Sequence, residues 1–171
     1  MSRLLNRTLM LVLLSALLTL PVAAQTPPAA ARAQASATTG SADTTAVAAA
    51  RDAIWEKEKR IYKGRAQGGL TYYLENTSAR YVGWPPGTPK PSNLEALRRN
   101  AAKMGGNNQE KLEMSLTDFT LQDGTAVIYY ETHRTMRPDG TPVDEHFEVI
   151  HVWVREAADW KLIGAMARLN P

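Results

Sequence analysis

The stretch HFEVIHVWV, residues 146–154, sets His146 and His151 in a run with the alternation of a strand. Imidazoles act as general bases, hydrogen-bonding groups or metal ligands, so the direction each one points decides its use. On a regular strand, residues five apart face opposite sides of the sheet, and His146 and His151 cannot share an ion. His133 and His151 fall on one face but well over ~10 Å apart, at ~3.3 Å per residue. No His-Glu-x-x-His or comparable spacing occurs, so no metal site is expected. There is no Gly-rich phosphate loop, and without cysteine there is neither a thiol nucleophile nor a disulfide framework. No cofactor is expected.

Acid–base or binding chemistry around His151 remains. The sequence RPDGT (137–141) suits a type I turn with a glycine bulge, pairing Tyr129 with Val149 and Val127 with His151. A two-residue loop at Ala157-Ala158 sets His151 opposite Gly164. Tyr129 is then a diagonal neighbour of the ring, Gly164 leaves space above it and Met166 forms a soft apolar wall. This register gives one face Val127, Tyr129, His133, Val149, His151, Trp153, Gly164 and Met166. The other carries Ile128, Tyr130, Ile150, Val152, Val154, Ile163 and Ala165. Both faces are apolar at the centre, which an antiparallel sheet with one wet side would not show. One face is expected against helices and the outer one against a second copy of the chain, as a homodimer.

The elements that position these residues form an α+β pattern. A first helix is predicted from an N-cap at Thr45 to Gly64, with Val47, Ala50, Ile54, Ile61 and Tyr62 on one side. Glu58 falls inside that stripe. A carboxylate there either pairs at the stripe's edge or serves as a pocket acid. A short second helix is expected over 68–76. SARYVGWPPGTPKP then reads as a shaped loop, whose Tyr81 and Trp84 either plug the core or line a pocket mouth. Ser92 and Glu95 make a capping box for a third helix, stopped by GGNN at 105–108. Four antiparallel strands are predicted over 111–121, 125–136, 144–155 and 160–169, with the sheet curving around the helices.

Residues 1–24 read as a removable secretory signal: a basic start, a short apolar run, then Val22-Ala23-Ala24 for cleavage. The run is too short to span a bilayer, which takes ~20 residues. Residues 25–44, rich in Ala, Thr, Ser and Pro, are expected to be a disordered linker before a single domain at 45–171. Arg3 and Arg7 leave with the signal and take two charges off the formal +3. Nothing then points to nucleic acid, or to a membrane after cleavage. An exported protein, periplasmic or secreted, is expected.

DGTAVIYYETH followed by FEVIHVWVREAADWKLIGAMA resembles the secreted branch of the nuclear transport factor 2-like superfamily, the SnoaL-like and ketosteroid-isomerase-like proteins. The shared pattern is a strand ending in Val152-Trp153, a tight turn, Trp160 and a final strand. The resemblance covers about residues 45–169 and implies a cone-shaped, cystatin-like fold with three N-terminal helices packed on a strongly curved, mainly antiparallel sheet. It implies a pocket at the cone's open end into which His151 points. Two positions depart from the pattern: Met166 stands where many relatives have His, and Gln67-Gly68-Gly69 replaces an Asp frequent after the first helix.

Three functions follow. The first is an exported domain binding a small, largely apolar molecule, with His151 and Tyr129 orienting it and Tyr62, Trp84, Val149, Trp153, Gly164 and Met166 around it. The second is an acid–base enzyme of isomerase, cyclase or dehydratase type, with His151 as base, Glu58 as acid and Tyr129 or Tyr62 stabilising an oxyanion. The third is a non-catalytic dimerisation scaffold with a closed interior. A Glu58–His151 separation above ~10 Å removes the second, and a cavity well below ~300 Å³ favours the third.

Overall fold

The computed structural model describes residues 29–104 and 108–170. The expected signal, residues 1–24, lies outside the described residues. The chain divides into two compact units, Met1–Ala37 and Thr38–Pro171. The described part of the first is helical, and the site belongs to the second.

Helix α1 spans Ala29–Ala66 and so begins well ahead of Thr45. Alanine is the strongest helix former, and no proline interrupts the stretch after Pro28. The run expected to be unstructured is therefore helical from Ala29 onward. At the other end Gly68 takes a left-handed φ of 81°, and the Gly68 and Gly69 amides donate to the Arg65 and Gly64 carbonyls at 2.9 and 3.0 Å. Those bonds satisfy carbonyls that the helix leaves open. Ala50, Ile54, Glu58 and Ile61 form the buried stripe, Ile54 and Glu58 without any exposure.

Helix α2, Thr71–Glu75, is shorter than expected. Asn76 Nδ2 and Thr77 Oγ1 donate to the Tyr72 and Tyr73 carbonyls and close it. The predicted loop then proves to be a strand in its first half. β1 spans Thr77–Trp84 and the prolines end it rather than prevent it. Two-residue β2, Ser92–Asn93, pairs with β1, and α3 runs Leu94–Lys103. The N-cap is Asn93, whose Oδ1 accepts from the Ala96 amide at 3.1 Å, and not Ser92, which is drawn into β2.

The last four strands fall close to their predicted bounds: β3 Lys111–Gln122, β4 Thr125–Met136, β5 Pro142–Glu156 and β6 Asp159–Asn170. The sheet order is β2-β1-β6-β5-β4-β3, antiparallel except for the β1–β6 pair. Among the described residues it has six strands where four were expected. The α+β architecture of N-terminal helices on a mainly antiparallel sheet is as read from the sequence.

Register is where the expectation slips. The turns behave as predicted: Arg137 donates to the Thr141 carbonyl, and Glu156 pairs with Asp159 across Ala157-Ala158. One irregularity between Arg134 and Met136, and another between Val152 and Trp153, then shift each pairing by one residue. His151 therefore lies opposite Ile128 and Ala165, not Val127 and Gly164, and Val149 lies opposite Tyr130, not Tyr129. The buried inner face carries Ala126, Ile128, Tyr130, Thr132, Val149, His151, Trp153 and Leu162. Alternation puts Val127, Tyr129, Ile150 and Val152, all half-buried, on the outer face.

Candidate functional site: a buried carboxylate behind a pocket histidine

Glu58 reaches the inner sheet face from the middle of α1. Its carboxylate accepts three donors: Trp153 Nε1 at 2.8 Å, Tyr130 Oη at 3.0 Å and His151 Nδ1 at 2.8 Å. A carboxylate only accepts, so this donor set satisfies it and offsets the cost of burying it. The Glu58 side chain is wholly buried and the His151 side chain 7% exposed.

Holding Nδ1 orients the ring and leaves Nε2 for something else. No described residue bonds Nε2. Among the described residues no sealed side-chain nitrogen or oxygen lacks a hydrogen bond, so Nε2 is open to the cavity that His151 lines. The ring is fixed on two further sides. Tyr73 stacks on it at 6.5 Å, and Tyr130 meets it edge-on at 5.5 Å.

The cavity holds about 580 Å³, above the lower range of small-molecule sites. Ile61, Tyr62, Leu70, Val149 and Ala167 make its apolar walls, and Tyr73 and Tyr81 face it with a shared hydroxyl contact of 3.0 Å. Trp84, paired with Met166 across β1 and β6, stands half exposed at the rim, its Nε1 held by the Thr88 carbonyl at 2.9 Å. Arg65, Asn100 and Lys103 add polar groups to the lining. Tyr81 passes so close over Gly83 that a Cβ there would overlap its hydroxyl.

Burial pushes the phenols of Tyr130 and Tyr73 well above the usual tyrosine range, and those of Tyr62 and Tyr81 upward. At Tyr130 and Tyr73 the nearby Glu58 charge adds to the effect. The phenols stay protonated near neutral pH and remain hydrogen-bond donors.

The predicted residues divide as follows. His151, Tyr62, Trp84, Val149 and Met166 line the cavity. Glu58 does not, and it acts on His151 directly instead of facing it across a ligand. Trp153 is buried beneath as a donor to Glu58. Tyr129 is on the outer face, and its expected place is taken by Tyr130. Gly164 pairs with Val152, its missing Cβ directed at that side chain, so it opens no space over His151. Tyr73 lines the cavity without having been expected there, and Tyr81, expected either to plug the core or to line a pocket mouth, lines it as well. Helical spacing puts Tyr73 on the inward side together with Leu70, the signal that could have found it.

No family model matches the chain, and no curated protein does. Solved structures do match. A nuclear transport factor 2-like protein from Cytophaga hutchinsonii is similar at 15% identity and TM-score 0.57, over 70% of this chain and 98% of that one. A protein of the same fold family from Streptomyces avermitilis, proposed to be a dehydratase, is similar at 17% identity and TM-score 0.59, over 72% and 98%. The calcium/calmodulin-dependent protein kinase II hub of S. rosetta is similar at 20% identity and TM-score 0.55, over 70% and 95%. At such identities the likeness is one of fold. The chain has the cone-shaped nuclear transport factor 2-like fold, which carries pocket enzymes and assembly hubs alike.

Proposed function

We propose that the pocket binds a small, largely apolar molecule carrying a carbonyl or hydroxyl group, and that His151 performs acid–base chemistry on it through Nε2. The observation that carries this reading is the Glu58–His151 contact at 2.8 Å, with the carboxylate buried behind the ring and the other ring nitrogen on the cavity side. A base must be oriented before it is useful, and a carboxylate at Nδ1 does that. Glu58 is a positioning residue here, not the acid. Tyr73 and Tyr81 are the phenols available to donate to a substrate oxygen as charge develops on it. Proton abstraction beside a carbonyl, as in isomerisation or dehydration, is the reaction class that this base and these donors suit. The cavity's volume speaks against a closed scaffold.

The test is deuterium uptake. The protein is incubated in heavy water with a panel of cyclic and aromatic ketones, and exchange beside the carbonyl is followed by mass spectrometry. Exchange with at least one ketone, lost in His151→Ala and reduced in Glu58→Gln, is expected. Binding without any exchange across the panel would reduce the function to ligand binding.

Two further readings belong to the same proposal. The half-buried outer sheet face, with Val127, Ile150, Val152 and Val154, supports a homodimer. The basic and apolar leader supports export to the periplasm or medium. A mature N-terminus near Gln25 on the exported protein would bear the latter out, and an intact leader would refute it.

A further inference from the structure

The outer face carries a cluster that the pocket chemistry does not use. His133 on β4 and His146 on β5 lie directly opposite each other, their rings 4.2 Å apart and within 8° of parallel. The bulge between Arg134 and Met136 brings them into register. Nε2 of His133 lies 2.7 Å from Asp144 Oδ1, and Nε2 of His146 lies 3.3 Å from the same oxygen. All three ligand atoms are within 4.8 Å of one another.

A cross-strand pair holds its Cβ atoms ~5 Å apart on a stiff backbone, so the two rings approach one point with little freedom to lose. A tetrahedral zinc ion with bonds of ~2.0–2.1 Å spaces its ligand atoms roughly 3.3 Å apart, a spacing that small side-chain rotations reach from here. We propose that His133, His146 and Asp144 form a divalent metal site of two imidazoles and one carboxylate. Imidazole ligands select zinc, copper or nickel over magnesium and calcium. The His146 and Asp144 side chains are 54% and 83% exposed, so the ion enters directly from solvent and water completes its coordination. The site is on the sheet face opposite His151 and is independent of the pocket.

The experiment is a calorimetric titration of the full chain, free of any histidine tag, with zinc chloride. One zinc per chain is expected. His133→Ala and His146→Ala each weaken binding about tenfold or more, since even outer-shell partners cost that much, while His151→Ala leaves it unchanged. Nitrogen NMR of the unsubstituted chain gives a second readout that no folding defect can confuse. Zinc should move the Nε2 resonances of His133 and His146 and leave those of His151 in place. Absence of binding, binding that survives the double substitution, or zinc shifts at His151 instead would each overturn the site.

Discussion

Glu58 holds the site together, and its substitution should show it. In Glu58→Gln the amide keeps the shape but turns an NH₂ toward a group that itself donates. The expected loss is about 2–4 kcal/mol in urea unfolding, the range for breaking a buried charged network. Tyr130→Phe removes the hydroxyl that donates to Glu58 and also lies within reach of Tyr62 and His151, and should cost about 1–2 kcal/mol. Tyr129→Phe, on the outer face, should stay within about 0.5 kcal/mol. Equal effects at 129 and 130 would contradict the observed register. Glu58 and His151 were both legible in the sequence, one as a carboxylate inside an apolar stripe and the other as a histidine on an apolar strand. Tyr130 was not, because a register error of one residue exchanges every side chain between faces.

The elements explain that error. Both hairpin turns formed as their sequences indicate, yet each register is displaced by an irregularity within the strands, at Arg134/Met136 and Val152/Trp153, that no turn residue announces. β1 was hidden for another reason. Its partner β6 is the last strand of the chain, and local pattern carries no trace of so distant a pairing. β1 delivers Tyr81, and Gly83 makes room for it. Gly83→Ala should displace that phenol, break its contact with Tyr73 and cost about 1–3 kcal/mol as overpacking does, with weaker ligand binding in a fluorescence titration. At the bulged end of β4–β5, Arg137 bonds Glu145 and holds its carboxyl below the ordinary range against the opposing effect of burial, with Arg134 adding to the shift. A depressed folded pKa stabilises above the unfolded value, ~4.3, and that stability is lost as pH falls through the folded value. Urea midpoints of the parent and Glu145→Gln should therefore differ at pH ~7 and converge as the pH falls through the folded value.

At the scale of the whole molecule, a fold shared by enzymes and assembly hubs fixes neither function nor oligomeric state, and the two proposals rest on the pocket and on the outer face. The apolar centres of both sheet faces were visible in the sequence, and only the assignment of residues between them changed. Light scattering should find a dimer for the parent chain and a monomer for Val152→Lys, which buries a charge in the proposed interface. A parent monomer would remove the homodimer. The measurement that most directly joins residue, element and pocket is the ring-nitrogen NMR spectrum of His151. A proton on Nδ1, with an Nε2 resonance that moves when an apolar ketone fills the cavity, is the predicted result. A proton on Nε2 with Nδ1 bare, or an Nε2 indifferent to every pocket ligand that binds, would contradict it.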